Sequence, residues 1–305
     1  MVVYKLLKNK KMSFQKTLLI STLILNFCAF SQNKVSYSLY NYNLNLINPA
    51  FAGQKNHTSI LINSKSQWVG IPDAPKTNTI SLNIPLNEHV GAGLNIINDK
   101  VFIFNQTQIS LDASYKLKVS DNHNLLFGIR GQANLYSGDF NTIKTEVNND
   151  AFFAESINTF SPNFSIGTAL IHENYYIHTT INTLLIDDRY KELNNSKKEK
   201  KLNMNIGGGY IIKLNDYLKL TPSTLITIVQ GTPLVFDLNT DLEIKEKYNL
   251  GFSYSFNNSI QINGKITTTE WIDLGYSYSM YTNKISPYQS GTHEFFALFN
   301  LDTIF

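Results

Sequence analysis

Segment after segment downstream of Gln32 carries apolar residues at every second position, and none gathers them into a run long enough for a membrane-spanning helix. In 108–119, Ile109, Leu111, Ala113, Tyr115, Leu117 and Val119 share one face, opposite Gln108, Ser110, Asp112, Ser114, Lys116 and Lys118. In 234–244, Leu234, Phe236, Leu238, Leu242 and Ile244 oppose Asp237, Asn239, Asp241 and Glu243. The same division puts Ile260, Ile262 and Ile266 against Gln261, Asn263 and Lys265, and Ile272, Leu274, Tyr276, Tyr278 and Met280 against Asp273, Ser277 and Ser279. A period of two is that of a strand with chemically different faces. A helical period fits none of these stretches.

The end of the chain follows the rule. Phe295, Ala297, Phe299, Leu301, Thr303 and Phe305 alternate with a more mixed set, Glu294, Leu298, Asn300, Asp302 and Ile304. An apolar outer face ending on an aromatic residue suits lipid contact and barrel closure, with Phe299 facing lipid and Phe305 serving assembly. Taken alone, this strand also fits an ordinary buried terminal strand.

About fourteen strands are expected, each near the roughly ten residues that a tilted spanning strand needs. They fall near 57–69, 77–87, 89–100, 104–120, 123–139, 161–173, 175–185, 201–215, 217–231, 234–247, 248–258, 259–267, 271–283 and 292–305. The fold class is therefore all-β, an antiparallel up-and-down transmembrane barrel. An even count puts both termini on the periplasmic side. Connections after even strands are mostly short, as at Asn87-Glu88, Asp121-Asn122, Glu173-Asn174 and Asn215-Asp216; the long ones, 69–76, 140–160, 186–200 and 283–291, follow odd strands, with Gly231–Pro233 and Phe256–Asn258 breaking the pattern by being short. A soluble β-sandwich shares the strand spacing, but needs neither so many strands of this length nor 17 Tyr and 19 Phe.

The first 31 residues read as a signal peptide: Lys5, Lys8, Lys10, Lys11 and Lys16, then an apolar stretch from Thr17 to Phe30 too short to span comfortably, then Ala29-Phe30-Ser31. The mature chain is expected to begin at about Gln32. Its segment 32–56 precedes a barrel assigned to 57–305. Phe27 before Cys28 argues against lipid attachment, and Cys28, the one cysteine, leaves with the leader. So do five lysines, which lowers the 26 basic residues to 21 against 23 acidic ones and turns the formal charge from +3 to −2. The basic balance thus belongs to the leader and is no argument for nucleic-acid binding.

Catalytic and metal-binding patterns are not found. His57, His89, His123, His172, His178 and His293 are scattered, no G-x-S-x-G elbow occurs, and Gly207-Gly208-Gly209 lacks the Lys-Ser/Thr of a phosphate loop. Close backbone approach or a strand bend accounts for the glycines better. The lysine-rich stretch 197–201 reads as a solvated outer loop. No catalytic residue, metal site or cofactor is assigned. The segment from Gln32 to Gly53, rich in Tyr, Asn and Leu, is a candidate plug for the lumen.

Two motifs narrow the function. Asn48-Pro49-Ala50-Phe51-Ala52-Gly53 sets a turn followed by small residues that permit close packing. Gln67-Trp68-Val69-Gly70-Ile71-Pro72-Asp73-Ala74-Pro75-Lys76-Thr77 is a loop stiffened by two prolines, with Trp68 suited to the membrane interface or the barrel mouth. It is either a stiff hairpin loop or a preformed partner surface. Together the two motifs resemble the PorP/SprF family of type IX secretion system outer-membrane proteins. Weaker matches run through Asn98-Asp99-Lys100, Leu126-Phe127-Gly128, Asp150-Ala151-Phe152, Pro162-Asn163-Phe164, Leu274 to Tyr278 and His293-Glu294. Lys65 stands where the family commonly has Arg, and Phe102 where Gly is frequent.

The resemblance implies a non-enzymatic protein of the outer membrane that supports export or anchoring of a large secreted adhesin in gliding bacteria and their relatives. Expected partners are outer-membrane lipid, the adhesin's C-terminal domain, a periplasmic peptidoglycan-binding protein and other type IX components; nucleic acid is not among them. Asn48, Pro49, Ala50, Gly53, Gln67, Trp68, Gly70, Pro72, Ala74, Pro75 and Thr77 are the partner-binding or structural candidates. The competing readings are a general porin or solute channel and, behind it, an outer-membrane hydrolase.

Overall fold

The computed structural model describes residues 39–140, 157–182 and 202–302. The strands are β1 (Ser59–Ser66), β2 (Lys76–Pro85), β3 (Val90–Val101), β4 (Phe104–Lys118), β5 (His123–Gly138), β6 (Ile157–His172), β7 (Tyr175–Ile181), β8 (Asn203–Tyr210), β9 (Ile212–Asn215), β10 (Leu218–Val229), β11 (Val235–Ile244), β12 (Tyr248–Ser255), β13 (Ser259–Thr269), β14 (Ile272–Tyr281) and β15 (Thr292–Asn300). Strands adjacent in sequence pair antiparallel, except that β8 and β9 both pair with β10 and not with each other; β10 also pairs with β11, and β1 pairs with both β2 and β15. The sheet is thus a closed up-and-down barrel.

β8 and β9 lie on one line against β10, in one register from Ser223↔Gly209 to Leu220↔Ile212. Pro222 falls in the gap between them, and a proline has no N–H to give the ladder. Ile211 instead donates to the Asn174 carbonyl at 2.7 Å. Counted as one interrupted strand, they make fourteen, as expected. The sixth strand starts earlier than its expected bound, at Ile157, and the last ends at Asn300. Phe305, the leader, its cleavage site and the lysine-rich stretch 197–201 lie outside the described residues.

The faces are those of a barrel in lipid. Leu111 is 66% exposed, Ile129 64% and Ile262 63%, whereas Ser110, Asp112 and Ser114, which alternate with Leu111 in β4, are buried. Outward apolar side chains meet hydrocarbon, and the interior is left to Asn, Ser and Thr such as Ser81, Asn95, Ser165 and Thr180. At one end sit tight turns. At Asn87 the side-chain oxygen accepts from the His89 and Val90 N–H groups, and at 245–247 Lys245 and Glu246 both take positive φ, as a two-residue hairpin turn requires. The opposite end carries the longer connections, including 67–75 and 282–291. Gly207, Gly208 and Gly209 are explained by close approach: a Cβ on Gly207 would come 2.5 Å from His178 Nε2, and one on Gly209 2.8 Å from the Tyr176 ring.

Candidate functional site: the occupied lumen

Residues 39–54 lie inside the barrel, in its turn-end half. They fold as three single 3₁₀ turns, Tyr40–Tyr42, Leu44–Leu46 and Pro49–Phe51. The third is set by its sequence. Asn48 accepts the Ala50 N–H on its side-chain oxygen at 2.9 Å, and Pro49 sits where its missing N–H costs nothing. Gly53, at φ +60, turns the chain out toward β1.

Glycines on three strands make the seat. A Cβ on Gly91 would lie 2.1 Å from the Ala52 carbonyl oxygen, one on Gly128 2.1 Å from the Ala50 nitrogen, and one on Gly167 2.0 Å from Asn48 Oδ1. Any larger residue there would fill the space the Asn48 motif occupies. Both amide hydrogens of Asn48 are used, Nδ2 donating to the Thr168 carbonyl at 3.2 Å and to that of Thr179 at 3.1 Å, across β6 and β7. Ser114 donates to the Ala52 carbonyl at 2.6 Å.

The segment touches the wall all round. Asn43 donates to Ser81 on β2 at 2.7 Å, Asn41 to Asp241 on β11 at 3.0 Å, and Asn239 donates to the Tyr40 hydroxyl at 2.6 Å. The Tyr42 hydroxyl donates to Asn263 Oδ1 on β13 at 2.7 Å. Three apolar sockets interrupt the polar wall: Leu39 and Leu46 against Leu61, Ile97 and Phe296; Tyr40 and Ile47 against Leu225; Ala50 against Leu126 and Ala169.

At the centre is a buried ion pair. Asp112 and Arg130 are direct partners in the β4–β5 register, and the guanidinium meets both carboxylate oxygens, at 2.6 and 2.7 Å. Its other hydrogens go to the Leu46 carbonyl at 3.1 Å and to that of Asn45. A bidentate pair of this kind fixes the direction of the fork, which here points at two consecutive carbonyls of the segment. The sequence showed Asp112 on the polar face, but not its partner.

The second motif lies at the other end of β1. Gln67 takes the Pro75 carbonyl with its N–H and the Tyr281 hydroxyl with its side-chain amide, both at 2.9 Å. Trp68, at φ 53, packs edge-on to Tyr281 with centroids 6.0 Å apart. Because Tyr281 faces inward and is buried, Trp68 belongs to the barrel mouth. Val69 exchanges backbone hydrogen bonds with Gly291 and Ser290, and Phe102 donates to the Asp73 carbonyl, so three neighbouring loops are tied into one ledge. Gly70 takes φ +99, Pro72 is exposed, Ala74 is half-buried, Pro75 is buried, and Thr77 donates to Asp99 at 2.6 Å. The structure therefore keeps the two motifs apart. Lys65, where the family commonly has Arg, is buried in the wall opposite Glu294.

On the outside, Phe299 stacks on Trp271 at 6.4 Å near the turn end. The fold also brings His123 and His172 together as cross-strand neighbours with rings 4.8 Å apart. His172 Nδ1 accepts the Asn174 N–H, and among the described residues no group of three or more His, Cys, Asp or Glu is placed to hold a metal ion.

A closed antiparallel barrel with an apolar exterior, a polar interior and its own N-terminal segment in the lumen is an outer-membrane β-barrel protein. The family model described as "Type IX secretion system membrane protein PorP/SprF" matches residues 29–299, so the chain belongs to that family. No curated protein matches it significantly. Solved structures similar in fold include the outer membrane protein Omp33 of Acinetobacter baumannii (8% identity, TM-score 0.48, covering 81% of this chain and 99% of that one). Others are the toluene transporter TbuX of Ralstonia pickettii (9%, 0.46, 83% and 91%) and the CymD monoaromatic hydrocarbon channel (8%, 0.48, 84% and 91%).

Proposed function

We propose that this barrel serves type IX secretion as a non-enzymatic outer-membrane component, supporting the export or surface anchoring of a large secreted adhesin through that adhesin's C-terminal domain. Family membership carries the secretion role. The observation that favours holding a protein over passing solutes is the occupied lumen, where the Asn48 motif fits the glycine seat on β3, β5 and β6. The Trp68 ledge is the surface offered to the cargo: its loops are already tied together, so little ordering entropy is lost on binding. In this reading the leader is removed near Gln32, the turn end faces the periplasm, and a peptidoglycan-binding protein and other type IX components meet the barrel from that side.

The test is deletion of the gene followed by comparison of the surface proteome. One or more large adhesins should disappear from the surface, and the chain supplied in trans should restore them. Unchanged delivery and attachment of every large adhesin, together with steady solute conductance by the purified barrel, would instead establish a general porin.

A further inference from the structure

We propose that residues 39–54 are a removable gate, and that their departure from the glycine seat opens a hydrophilic path through the barrel. Three features of the contact fit a part that leaves as a unit. The first is backbone bonding. Among the described residues, every backbone-to-backbone hydrogen bond of the segment is internal, from Tyr42 N–H to the Leu39 carbonyl through Gln54 N–H to that of Phe51. The barrel ladder closes without it, β1 pairing with β2 and β15. Undocking therefore breaks no bond of the strand ladder, and the strand carbonyls of Thr168 and Thr179 lose only the Asn48 side-chain amide.

The second feature is the charge. Asp112 and Arg130 both belong to the wall and hold each other by two hydrogen bonds. When the segment leaves, Arg130 gives up two carbonyls and keeps its counter-ion, so no charge is stranded in the lumen.

The third is the quality of the interface. Glycines at 91, 93, 128 and 167 present a smooth surface with no side chain to interlock. Several buried polar atoms at the contact have no hydrogen-bond partner: both amide atoms of Asn45, Asn83 Oδ1 and Asp241 Oδ1. The three apolar sockets hold the resting state closed. Once vacated, the wall offers Ser81, Asn95, Ser110, Ser114 and the paired Asp112 and Arg130, a lining for ions and small hydrophilic solutes.

Two variants of the full mature chain test this in planar bilayers, with potassium chloride as the probe. The first is Ala52→Cys with Gly93→Cys. A Cβ at 93 would lie 3.3 Å from that of Ala52, close to the roughly 3.5–4.5 Å of a disulfide, with the Asn45 amide swinging aside. A chain that starts at Gln32 carries no native cysteine, so the engineered pair has no competitor in it. Oxidised protein should be silent, and reduction should restore brief openings. The second is Gly128→Ala with Gly167→Ala, which places methyl groups where Ala50 and Asn48 sit. Its open fraction should rise at least tenfold while the heat-modifiable gel mobility of a folded barrel is kept. Identical records for oxidised and reduced protein, silent or conducting, overturn the proposal, as does a folded glycine variant with the parent's open fraction. If that variant fails to fold, the disulfide pair alone decides. Conductance is read without cargo, so the outcome is separate from that of the surface-proteome test.

Discussion

Asn48 is the residue whose loss should most clearly separate a seated N-terminal segment from an incidental one. It is fully buried and makes three hydrogen bonds, one accepted from Ala50 N–H and two donated to carbonyls on β6 and β7. The Ala50 bond is internal to the segment; the two that cross to the wall are worth about 1 kcal/mol net each, so truncation to alanine removes ~2 kcal/mol of docking free energy. That is about thirtyfold in the docking equilibrium. The assay is modification of an Ala50→Cys thiol by a membrane-impermeant maleimide in the folded barrel, Ala50 being fully buried when docked. With opening and closing fast relative to labelling, the rate follows the undocked population. Asn48→Ala should accelerate labelling about thirtyfold by that arithmetic. Asn48→Asp should do more. It keeps an oxygen for Ala50 N–H but turns a carboxylate toward two carbonyls at a buried site, where an unpaired charge is strongly disfavoured. Labelling within about threefold of the parent in both variants, with folded gel mobility intact, would show that these bonds do not hold the segment, since that factor is only ~0.7 kcal/mol.

What could be read from the sequence was what depends on periodicity. The apolar faces of β4, β11, β13 and β14 could be assigned because a strand has only two faces and lipid demands one of them. Leu111 and Ile262 face outward and Asn239 and Asn263 inward, as the alternation required. The N-terminal plug was legible only as a suspicion, from Tyr, Asn and Leu lying ahead of the first strand. Its seat was not, because Gly91, Gly128 and Gly167 acquire a shared purpose only once register places them around Ala52, Ala50 and Asn48. Register likewise hid the Asp112–Arg130 pair, 18 residues apart yet directly opposed, and the His123–His172 pair. Pro222 was visible as a proline, but its effect falls on β8 and β9 and depends on which residues stand across from it. Trp68 had two candidate places, and Tyr281, more than two hundred residues away, decides for the mouth.

Two further perturbations probe the wall itself. Asp112→Ala and Arg130→Ala should each destabilise the barrel by ~3–5 kcal/mol in urea unfolding from bilayers, because each leaves the other charge buried alone; the double variant should cost clearly less than their sum, and simple additivity would deny the coupling. The lipid face is tested by depth. Leu111 and Leu117 point outward from the same strand, 66% and 45% exposed. Six residues at about 3.3 Å, tilted by about 40°, separate them by ~15 Å along the membrane normal. Leu111 is near the middle of β4 and Leu117 near its turn end, so an arginine should cost ~2–4 kcal/mol at Leu111 and ~0–1 kcal/mol at Leu117. A soluble barrel would tolerate both alike, since each side chain would already be in water. The difference between the two sites therefore measures the membrane itself, and equal costs would remove the spanning assignment of β4 whatever the family of the chain.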